Sequence, residues 1–591
     1  MNLSSTIKSI QDIMRKDDGV DGDAQRLGQL TWMLFLKVFD QREEEWEDDD
    51  PEYQSPLRER LRWRNWAAYL ADKEGKKKPQ MVASVVIGFV NNELFPALKA
   101  LDASKSPQHK VIRSVFEDAN NYMKSGAQFL AVVEKLEEAI NFHDFKKRAQ
   151  LGDVYEQLLS DLRGAGNAGE FYTPRAITQF MVHRVNPRLD KGEEVLDPAC
   201  GTGGFLAAVI DHFGPQVTDK SGVEDRRAVD RSIRGIEKKQ LPHLLCTTNL
   251  LLHGVEIEGQ IERRNTLARG WNEWGAHEKV DCVITNPPFG GYEDEGVGSD
   301  YPADLRTRET ADMFMALIIK KLLKENGRAA VVLPDGFLFG DGIKATLKRL
   351  LLRDCKLHTI VRLPRGVFAP YTTIKTNLLF FTRGAVVDDG SEHFHTDTIW
   401  YYEHPYPPGY KSYSKTKPIR LEEFDPERAW WGDEVNDFAS REENEFAWKV
   451  DFKTKRERAV AAAKPHWDRA EALGNEASAL ENQVRVLRES IKGVSDVEQR
   501  RPVEEEMDVL RVQAEGLRLQ ARDAQATGDR QYWPIYNLDL KNPNAPEEES
   551  HDPDVLLEKY KALLGQIEET ENRLKSELAA ALAHHFADED A

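Results

Sequence analysis

The sequence predicts an α/β protein whose central sheet is flanked by an all-helical N-terminal domain and a helical, coiled-coil-like C-terminal region. The apolar run at residues 280–284 is followed at once by a turn and predicts a buried strand, and residues 195–205 predict a strand, a glycine-rich turn and a helix. Apolar residues that alternate three and four apart between positions 473 and 521 predict long paired helices. The expected domains are residues 1–150, 151–435 and 436–591.

Length and composition limit the class of protein. The 591 residues suffice for several domains with hydrophobic cores, and 40% hydrophobic with 31% charged residues is typical of a soluble globular chain. The four cysteines have no paired spacing, which argues against a zinc site or a disulfide framework and fits a reducing cytoplasm. The polar, charged N-terminus is unlike a signal peptide, and no apolar run is long enough to span a membrane.

The first domain carries a helical pattern. Apolar residues spaced for one helix face recur from Leu27 to Val38. The acidic run at residues 43–50 is expected to end this helix and to form a solvated surface loop. Residues 94–101 and 129–140 continue the helical pattern, and nothing in this domain carries chemistry.

A glycine-rich turn follows the first predicted strand of the second domain. Glycines let the backbone approach a ligand closely, as in the Rossmann folds that bind dinucleotides. An acidic residue after the next strand commonly accepts hydrogen bonds from ribose hydroxyls, and Glu237 is in that place, although a surface glutamate explains it equally well. The candidate binding residues here are Asp197, Gly201, Thr202, Gly203, Gly204 and Glu237.

A second candidate element lies just upstream of the glycine turn. Thr173 before Pro174 predicts a helix start, with threonine as the N-cap and proline in the first helical position. A helix N-terminus favours anionic groups such as a carboxylate, whereas the alternative is a capped helix with two packed aromatic residues. The candidate residues are Glu170, Phe171, Tyr172, Thr173, Pro174 and Arg175.

The strand predicted at residues 280–284 ends in the sequence Asn286-Pro287-Pro288-Phe289. Prolines cannot donate to a sheet ladder, so the strand stops at the edge where open α/β sheets bind ligands. The Asn286 side-chain oxygen and the Pro287 carbonyl could accept both hydrogens of an NH₂ group and make its nitrogen nucleophilic. Phe289 offers a flat face on which an extruded base can stack. A plain strand-ending turn is the alternative.

With a glycine turn about 85 residues upstream, the Asn-Pro-Pro-Phe turn resembles that of amino-methyltransferases that use S-adenosylmethionine. The order of Phe171-Tyr172-Thr173-Pro174, glycine turn and Asn-Pro-Pro-Phe resembles the modification (M) subunit of type I restriction-modification systems. The resemblance implies a Rossmann-like methyltransferase core that methylates the exocyclic N6 amine of adenine in DNA, without a metal. Methylation of cytosine N4 or of a protein glutamine amide, or a non-catalytic cofactor-binding scaffold, are the alternatives.

The resemblance also assigns residues whose roles stay open. The family carries an acid near the adenine ring of the cofactor, where this chain has Asn265. Phe368 and Tyr371 lie in a loop that can help to hold the extruded base, although such aromatic residues are more often part of a core. The polar segment at residues 290–310 is expected to be a lid beside the site or else a disordered loop.

The resemblance implies DNA and a separate specificity subunit as partners, with a second copy of the chain and a nuclease/translocase restriction subunit as further candidates. The net charge of −20 suits this, because a partner or a local basic patch would have to hold the DNA. In the third domain, residues 473–491 and 503–521 predict an antiparallel helical hairpin. A last helix, starting at Asp552-Pro553, carries an apolar stripe suited to a partner groove. The stripe comprises Leu556, Tyr560, Leu563, Ile567 and Leu574.

Overall fold

The computed structural model divides the chain into two compact units, residues 1–542 and residues 543–591. The candidates Glu170 and Phe171 lie outside the residues that the structure describes. The described residues are 3–71, 77–139, 155, 172–217, 223–255, 260–369, 371–386, 392–414, 416–545 and 553–588.

Helices dominate the N-terminal domain, as predicted, but a small β-hairpin interrupts them. Strands β1 (Tyr69–Ala71) and β2 (Lys77–Pro79) pair antiparallel. The core is aromatic, with Trp32 packed against Phe95 and Phe129. The helices are α1 (Leu3–Met14), α2 (Gly22–Asp49), α3 (Trp63–Trp66), α4 (Ala83–Phe89), α5 (Phe95–Lys99), α6 (Pro107–Phe116) and α7 (Gly126–Ala139).

The prediction of a solvated loop at residues 43–50 was wrong, because α2 continues through this run to Asp49. The side chain of Glu43 is fully buried, where it accepts a hydrogen bond from the Tyr53 hydroxyl at 3.1 Å, and burial raises its pKa to about 7. Glu47 accepts from the guanidinium groups of Arg62 and Arg64 at 2.7 and 2.9 Å. Glu43 and Glu47 therefore lie in the helix with partners that come from outside it.

The second domain is built on a nine-stranded mixed sheet in the order β11-β10-β8-β9-β7-β6-β3-β4-β5. The pairs β7–β9, β8–β9 and β10–β11 are antiparallel and the other pairs are parallel. The strands are β3 (Val195–Asp197), β4 (Ile233–Glu237), β5 (Ile261–Arg263), β6 (Val280–Thr285), β7 (Leu323–Pro334), β8 (Cys355–Arg362), β9 (Thr376–Arg383), β10 (Thr398–Glu403) and β11 (Ala447–Asp451).

Eight α-helices precede or connect these strands in the part of the chain that the structure describes. They are α8 (Arg175–Val185), α9 (Gly204–Phe213), α10 (Val223–Ser232), α11 (Gln240–Leu252), α12 (Thr310–Leu317), α13 (Asp335–Phe339), α14 (Ile343–Asp354) and α15 (Asp425–Trp430). The strand order reverses at β3, with β4 on one side and β6 on the other. Ligands bind outside the carboxyl ends of strands at such a reversal.

Helix α11 joins the two domains. Its residues Leu244 and Leu251 belong to the core of the N-terminal helices, and the side-chain amide of Gln240 donates to the Val115 carbonyl at 3.2 Å. On the side of the sheet, the side-chain amide of Asn249 donates to the Thr202 carbonyl at 3.2 Å. The helix that supports the glycine turn therefore also packs against the helices of the N-terminal domain.

The predicted antiparallel helical hairpin is confirmed. Helix α16 (Phe452–Ser490) leaves the edge strand β11, and α17 (Val497–Tyr532) returns beside it. The Trp467 indole donates to Asp529 at 3.0 Å, and the Arg518 guanidinium pairs with Glu481 at 2.8 Å. These pairs run in opposite order along the two helices, so the helices are antiparallel.

The second unit contains the long helix α18 (Pro553–Asp588). Four members of the predicted stripe, Tyr560, Leu563, Ile567 and Leu574, are 50–68% exposed, and the side chain of Leu556 lies outside the described residues. Within the described residues, no helix combines the length and the apolar character needed to cross a membrane.

Candidate active site

The turn after β6 lies at the carboxyl edge of the sheet, directly at the reversal of strand order. Residues 282–285 of the strand are buried, and the two prolines that follow end it. The turn is fastened from α12, because the Thr310 hydroxyl donates to the Pro288 carbonyl at 2.6 Å. Gly290 has a φ of 78°, which favours glycine, and lets the chain turn away.

The side-chain amide of Asn286 has a hydrogen-bond partner for its nitrogen but none, among the described residues, for its oxygen. Its Nδ2 donates to Thr173 Oγ1 at 3.1 Å. Its Oδ1 is buried and accepts no hydrogen bond from any residue in the described part of the chain. A buried acceptor without a donor costs about 1–3 kcal/mol, so such an atom calls for an explanation. A ligand that brings an N–H group would supply the missing donor.

Thr173 does not cap a helix, so the predicted helix start was wrong by one residue. Helix α8 begins at Arg175, and its N-cap is Pro174, which has no side-chain cap bond. The Pro174 carbonyl accepts from the backbone N–H of Ile177 and Thr178 at 2.9 and 3.1 Å. The hydroxyl of Thr173 instead holds the amide of Asn286, from a segment distant in sequence.

Asp197, the last residue of β3, ties the two central strands together. Its Oδ1 accepts from the Thr285 hydroxyl at 2.6 Å and from the backbone N–H of Ala199 at 3.1 Å. The carboxyl is 1% exposed, and burial raises its pKa to about 7 against the opposing effect of these hydrogen bonds. The ends of β3 and β6 are therefore held in register at the site.

The glycine turn is fixed by Glu237 at the end of β4. One carboxylate oxygen accepts from the Gly201 N–H at 3.0 Å and the other from the Lys239 N–H at 2.7 Å. Burial raises the pKa of this carboxyl. A carboxylate offers about four lone-pair positions, so acceptor capacity is left for a ligand hydroxyl.

Gly203 is required by its surroundings. Its φ of 80° lies in the left-handed region, and a Cβ atom there would lie 2.7 Å from the Sγ of Cys246 on α11. That sulfur is in turn 3.8 Å from the Sγ of Cys200. The space beneath the turn is thus filled by the protein itself, which leaves the upper side of the turn to a ligand.

A cavity of about 280 Å³ lies along this edge of the sheet. It runs from the turn after β6, past the glycine turn, to Asn265 after β5. The predicted site residues that line it are Tyr172, Thr173, Asp197, Gly201, Thr202, Gly204, Glu237, Asn286, Pro287, Pro288 and Phe289. Phe368, which is otherwise part of the core, and Tyr371, which is 41% exposed, also line it.

Three predicted residues that the structure describes are not among those that line the cavity. Pro174 and Gly203 support the lining residues next to them, and the guanidinium of Arg175 lies 3.5 Å from the Asp211 carboxylate. Among the described residues, no group of three or more metal-ligating side chains is placed to hold an ion.

Sequence reasoning missed several lining residues, including Phe314, Thr310, Lys238 and Glu293. Lys238 directly follows Glu237, which is the one local feature that could have indicated it. Glu293 lies in the acidic, glycine-rich segment after the Asn-Pro-Pro-Phe turn, where no pattern separates one carboxylate from the others.

The mixed sheet, the glycine turn on β3 and the Asn-Pro-Pro-Phe turn on the neighbouring β6 define the class of amino-methyltransferases. Comparisons with known proteins agree with this class. Residues 146–466 match the family described as N-6 DNA Methylase, and residues 3–140 match the family described as HsdM N-terminal domain. The chain therefore belongs to the N-6 DNA methylases, and within them to the methylase subunits of type I restriction enzymes.

Individual relatives support this membership. The chain is 47% identical to the type I restriction enzyme EcoEI methylase subunit of Escherichia coli over 585 residues, which cover 99% of each chain. It is similar to the modification subunit of a putative type I restriction enzyme from Vibrio vulnificus YJ016, with 40% identity, a TM-score of 0.62 and coverage of 77% of this chain and 92% of that one. A chain solved in work on the assembly and conformational transition of a type I restriction-modification system is 31% identical, with a TM-score of 0.67 and coverage of 97% and 98%.

Proposed function

We propose that this subunit transfers a methyl group from S-adenosylmethionine to the N6 amine of a DNA adenine, and that Asn286 is the residue that activates the amine. The observation that carries the proposal is the buried Asn286 Oδ1, which lines the cavity and has no donor among the described residues. An exocyclic amine is a donor with two hydrogens, so it satisfies this atom and leaves one hydrogen for the Pro287 carbonyl.

The residues along the sheet edge suit the proposed cofactor. Asp197 and Glu237 place two buried carboxyls beside the cavity, and Glu237 keeps acceptor capacity for the two ribose hydroxyls. The glycine turn lets a ligand approach the backbone closely, because glycines carry no side chain. Cys246 fills the space on one side of Gly203, so the ligand would lie on the other side. When bound, S-adenosylmethionine supplies a methyl group on a sulfonium, which a nucleophilic amine can take.

The chain's own part in the reaction is to make the amine nucleophilic and to hold it. The lone pair of the adenine amine is delocalised into the base, and two acceptors aimed at the hydrogens of the amine favour a tetrahedral nitrogen. Thr173 fixes the Asn286 amide so that Oδ1 is oriented before the base arrives, and such preorganisation is the main source of electrostatic catalysis. Half-buried Phe289, with Phe368 and Tyr371, offers rings against which the extruded base can stack.

The proposed partners follow from charge and from the C-terminal unit. A chain with a net charge of −20 needs a more basic partner to grip DNA, and the exposed stripe on α18 offers that partner an apolar face. We assign this role to the region 436–591 and the catalysis to the region 151–435. The complex would contain DNA, a specificity subunit and a second copy of this chain, with a restriction subunit joining it in the cytoplasm.

The experiment is product identification. The complex is purified with its specificity subunit and incubated with DNA and S-adenosylmethionine that carries a labelled methyl group, and the nucleosides of the digested DNA are separated. Label in N6-methyladenine is the expected result. Label in N4-methylcytosine, or in protein instead of DNA, would replace the proposal with one of the alternative acceptors, and no label at all would favour the scaffold.

A further inference from the structure

The segment between the catalytic turn and α12, residues 290–310, forms a strap along the cavity. It leaves the turn after β6 and reaches the end of β5, where the side chain of Glu293 contacts Asn265. It then returns to α12, and Tyr292 pairs with Glu309 in an antiparallel bridge. The segment predicted to be a lid or a disordered loop thus runs as a strap from the turn after β6 to Lys238 after β4 and Asn265 after β5.

Glu293 is the buried contact at the far end of this strap. Its backbone is fixed by Arg308, whose carbonyl accepts from the Glu293 N–H at 2.9 Å and whose Nε donates to the Glu293 carbonyl at 3.0 Å. Its carboxylate is 6% exposed, and its Oε2 accepts from Asn265 Nδ2 at 2.9 Å and from Lys238 Nζ at 3.0 Å. All three side chains line the cavity.

The order of the strands places this group at the base end of the proposed cofactor. Along the sheet edge the cavity meets Asn286 after β6, the glycine turn after β3, Glu237 at the end of β4 and Asn265 after β5. A nucleoside amino acid with its methyl group at Asn286 and its ribose at Glu237 therefore brings its base to Asn265 and Glu293. This step rests on the function proposed above.

Asn265 and Glu293 together present hydrogen-bonding groups that match adenine. Adenine presents an amine donor next to a ring nitrogen acceptor. Glu293 is an acceptor only, and Asn265 is oriented as a donor, because its Oδ1 accepts from the Leu267 N–H at 3.0 Å. One Nδ2 hydrogen goes to Glu293 and the second can go to the ring nitrogen. A base with a carbonyl oxygen in place of the amine would face the carboxylate and be repelled.

We infer that Glu293, held by Asn265 and Lys238, selects adenine as the base of the cofactor. Because the same strap begins at the catalytic turn, the residue that reads the cofactor base and the residue that meets the target amine belong to one continuous segment.

The test compares two ligands that differ at the amine. Calorimetry on the full-length chain measures the Kd of S-adenosylhomocysteine and of S-inosylhomocysteine, in which a carbonyl replaces the amine. We expect the unmodified protein to prefer the adenosyl ligand by about 100-fold, the scale of a charged hydrogen bond lost together with an unpaired buried group. In Glu293→Gln the preference should fall below about tenfold, since the glutamine amide can turn to donate to the carbonyl. The matched control is Glu295→Gln, in the same strap but 91% exposed, which should keep the preference.

Each outcome decides the inference. Equal loss of affinity for both ligands in Glu293→Gln would mean that Glu293 only holds the strap in place, which contradicts the inference. Equal binding of both ligands by the unmodified protein would also overturn it, even if the variant does not fold. An unmodified protein that binds neither ligand would overturn the proposed cofactor, and with it this inference.

Discussion

Replacing Asn286 with alanine should separate activity from stability. The substitution removes a buried acceptor that has no donor among the described residues and also removes the hydrogen bond from Nδ2 to Thr173. Relief of the unsatisfied group is worth about 1–3 kcal/mol, whereas the lost hydrogen bond costs about 1 kcal/mol. The free energy of unfolding should therefore stay the same or rise by up to about 2 kcal/mol.

Activity should change in the opposite direction. Loss of one preorganised group that meets the reacting centre costs about 2.7–4 kcal/mol, or a factor of about 10²–10³ in kcat. The assay is single-turnover transfer of labelled methyl groups into DNA, beside thermal unfolding and S-adenosylmethionine calorimetry on the same preparation. Asn286→Asp is the matched control, because it keeps an acceptor at the same place and should retain more activity than the alanine variant. A parallel loss of stability and activity in Asn286→Ala, or near-normal turnover, would refute the reasoning.

Three further predictions concern the cofactor turn, the buried aspartate and the C-terminal helix. Glu237→Ala should raise the Kd of S-adenosylmethionine at least tenfold in calorimetry, since it removes a carboxylate that holds the Gly201 N–H, and an unchanged Kd would contradict the assignment. Because the folded-state pKa of Asp197 is raised to about 7, its stabilising contribution is complete below about pH 4 and is lost as the pH rises to 7, so Asp197→Asn should gain in melting temperature relative to the unmodified protein over that range. A difference in melting temperature that does not vary with pH would argue against the raised pKa. A chain truncated before Asp552 should keep its melting temperature and bind S-adenosylmethionine but lose co-purification with the specificity subunit, and normal assembly would place that interface elsewhere.

The parts of the fold that sequence predicted correctly are those with local causes. The strand predicted at residues 280–284 ends where two prolines follow it, because these neighbouring residues decide the backbone. The heptad spacing that predicted the hairpin of α16 and α17 is likewise a repeating local pattern.

The parts that sequence missed depend on contacts between distant segments. In the acidic run of α2, Glu47 is paired with Arg62 and Arg64, which lie outside the helix and 15 and 17 residues further along the chain. The hydroxyl of Thr173 reaches Asn286, 113 residues away, instead of capping its own helix. Glu293 is buried where the strap reaches Asn265 after β5, and no spacing of residues in the segment indicates this contact.

The central claim is that Asn286 Oδ1 accepts a hydrogen from the target amine, and one comparison of affinities tests it directly. The complex, saturated with S-adenosylhomocysteine, is titrated with DNA that carries either adenine or purine, which lacks the amine, at the position that the enzyme methylates. The ratio of the two Kd values is measured for the unmodified complex and for Asn286→Ala. The account predicts that the change from purine to adenine improves binding by about tenfold more in the unmodified complex than in the variant, the value of about one hydrogen bond to the amine. The same ratio in both complexes would contradict it.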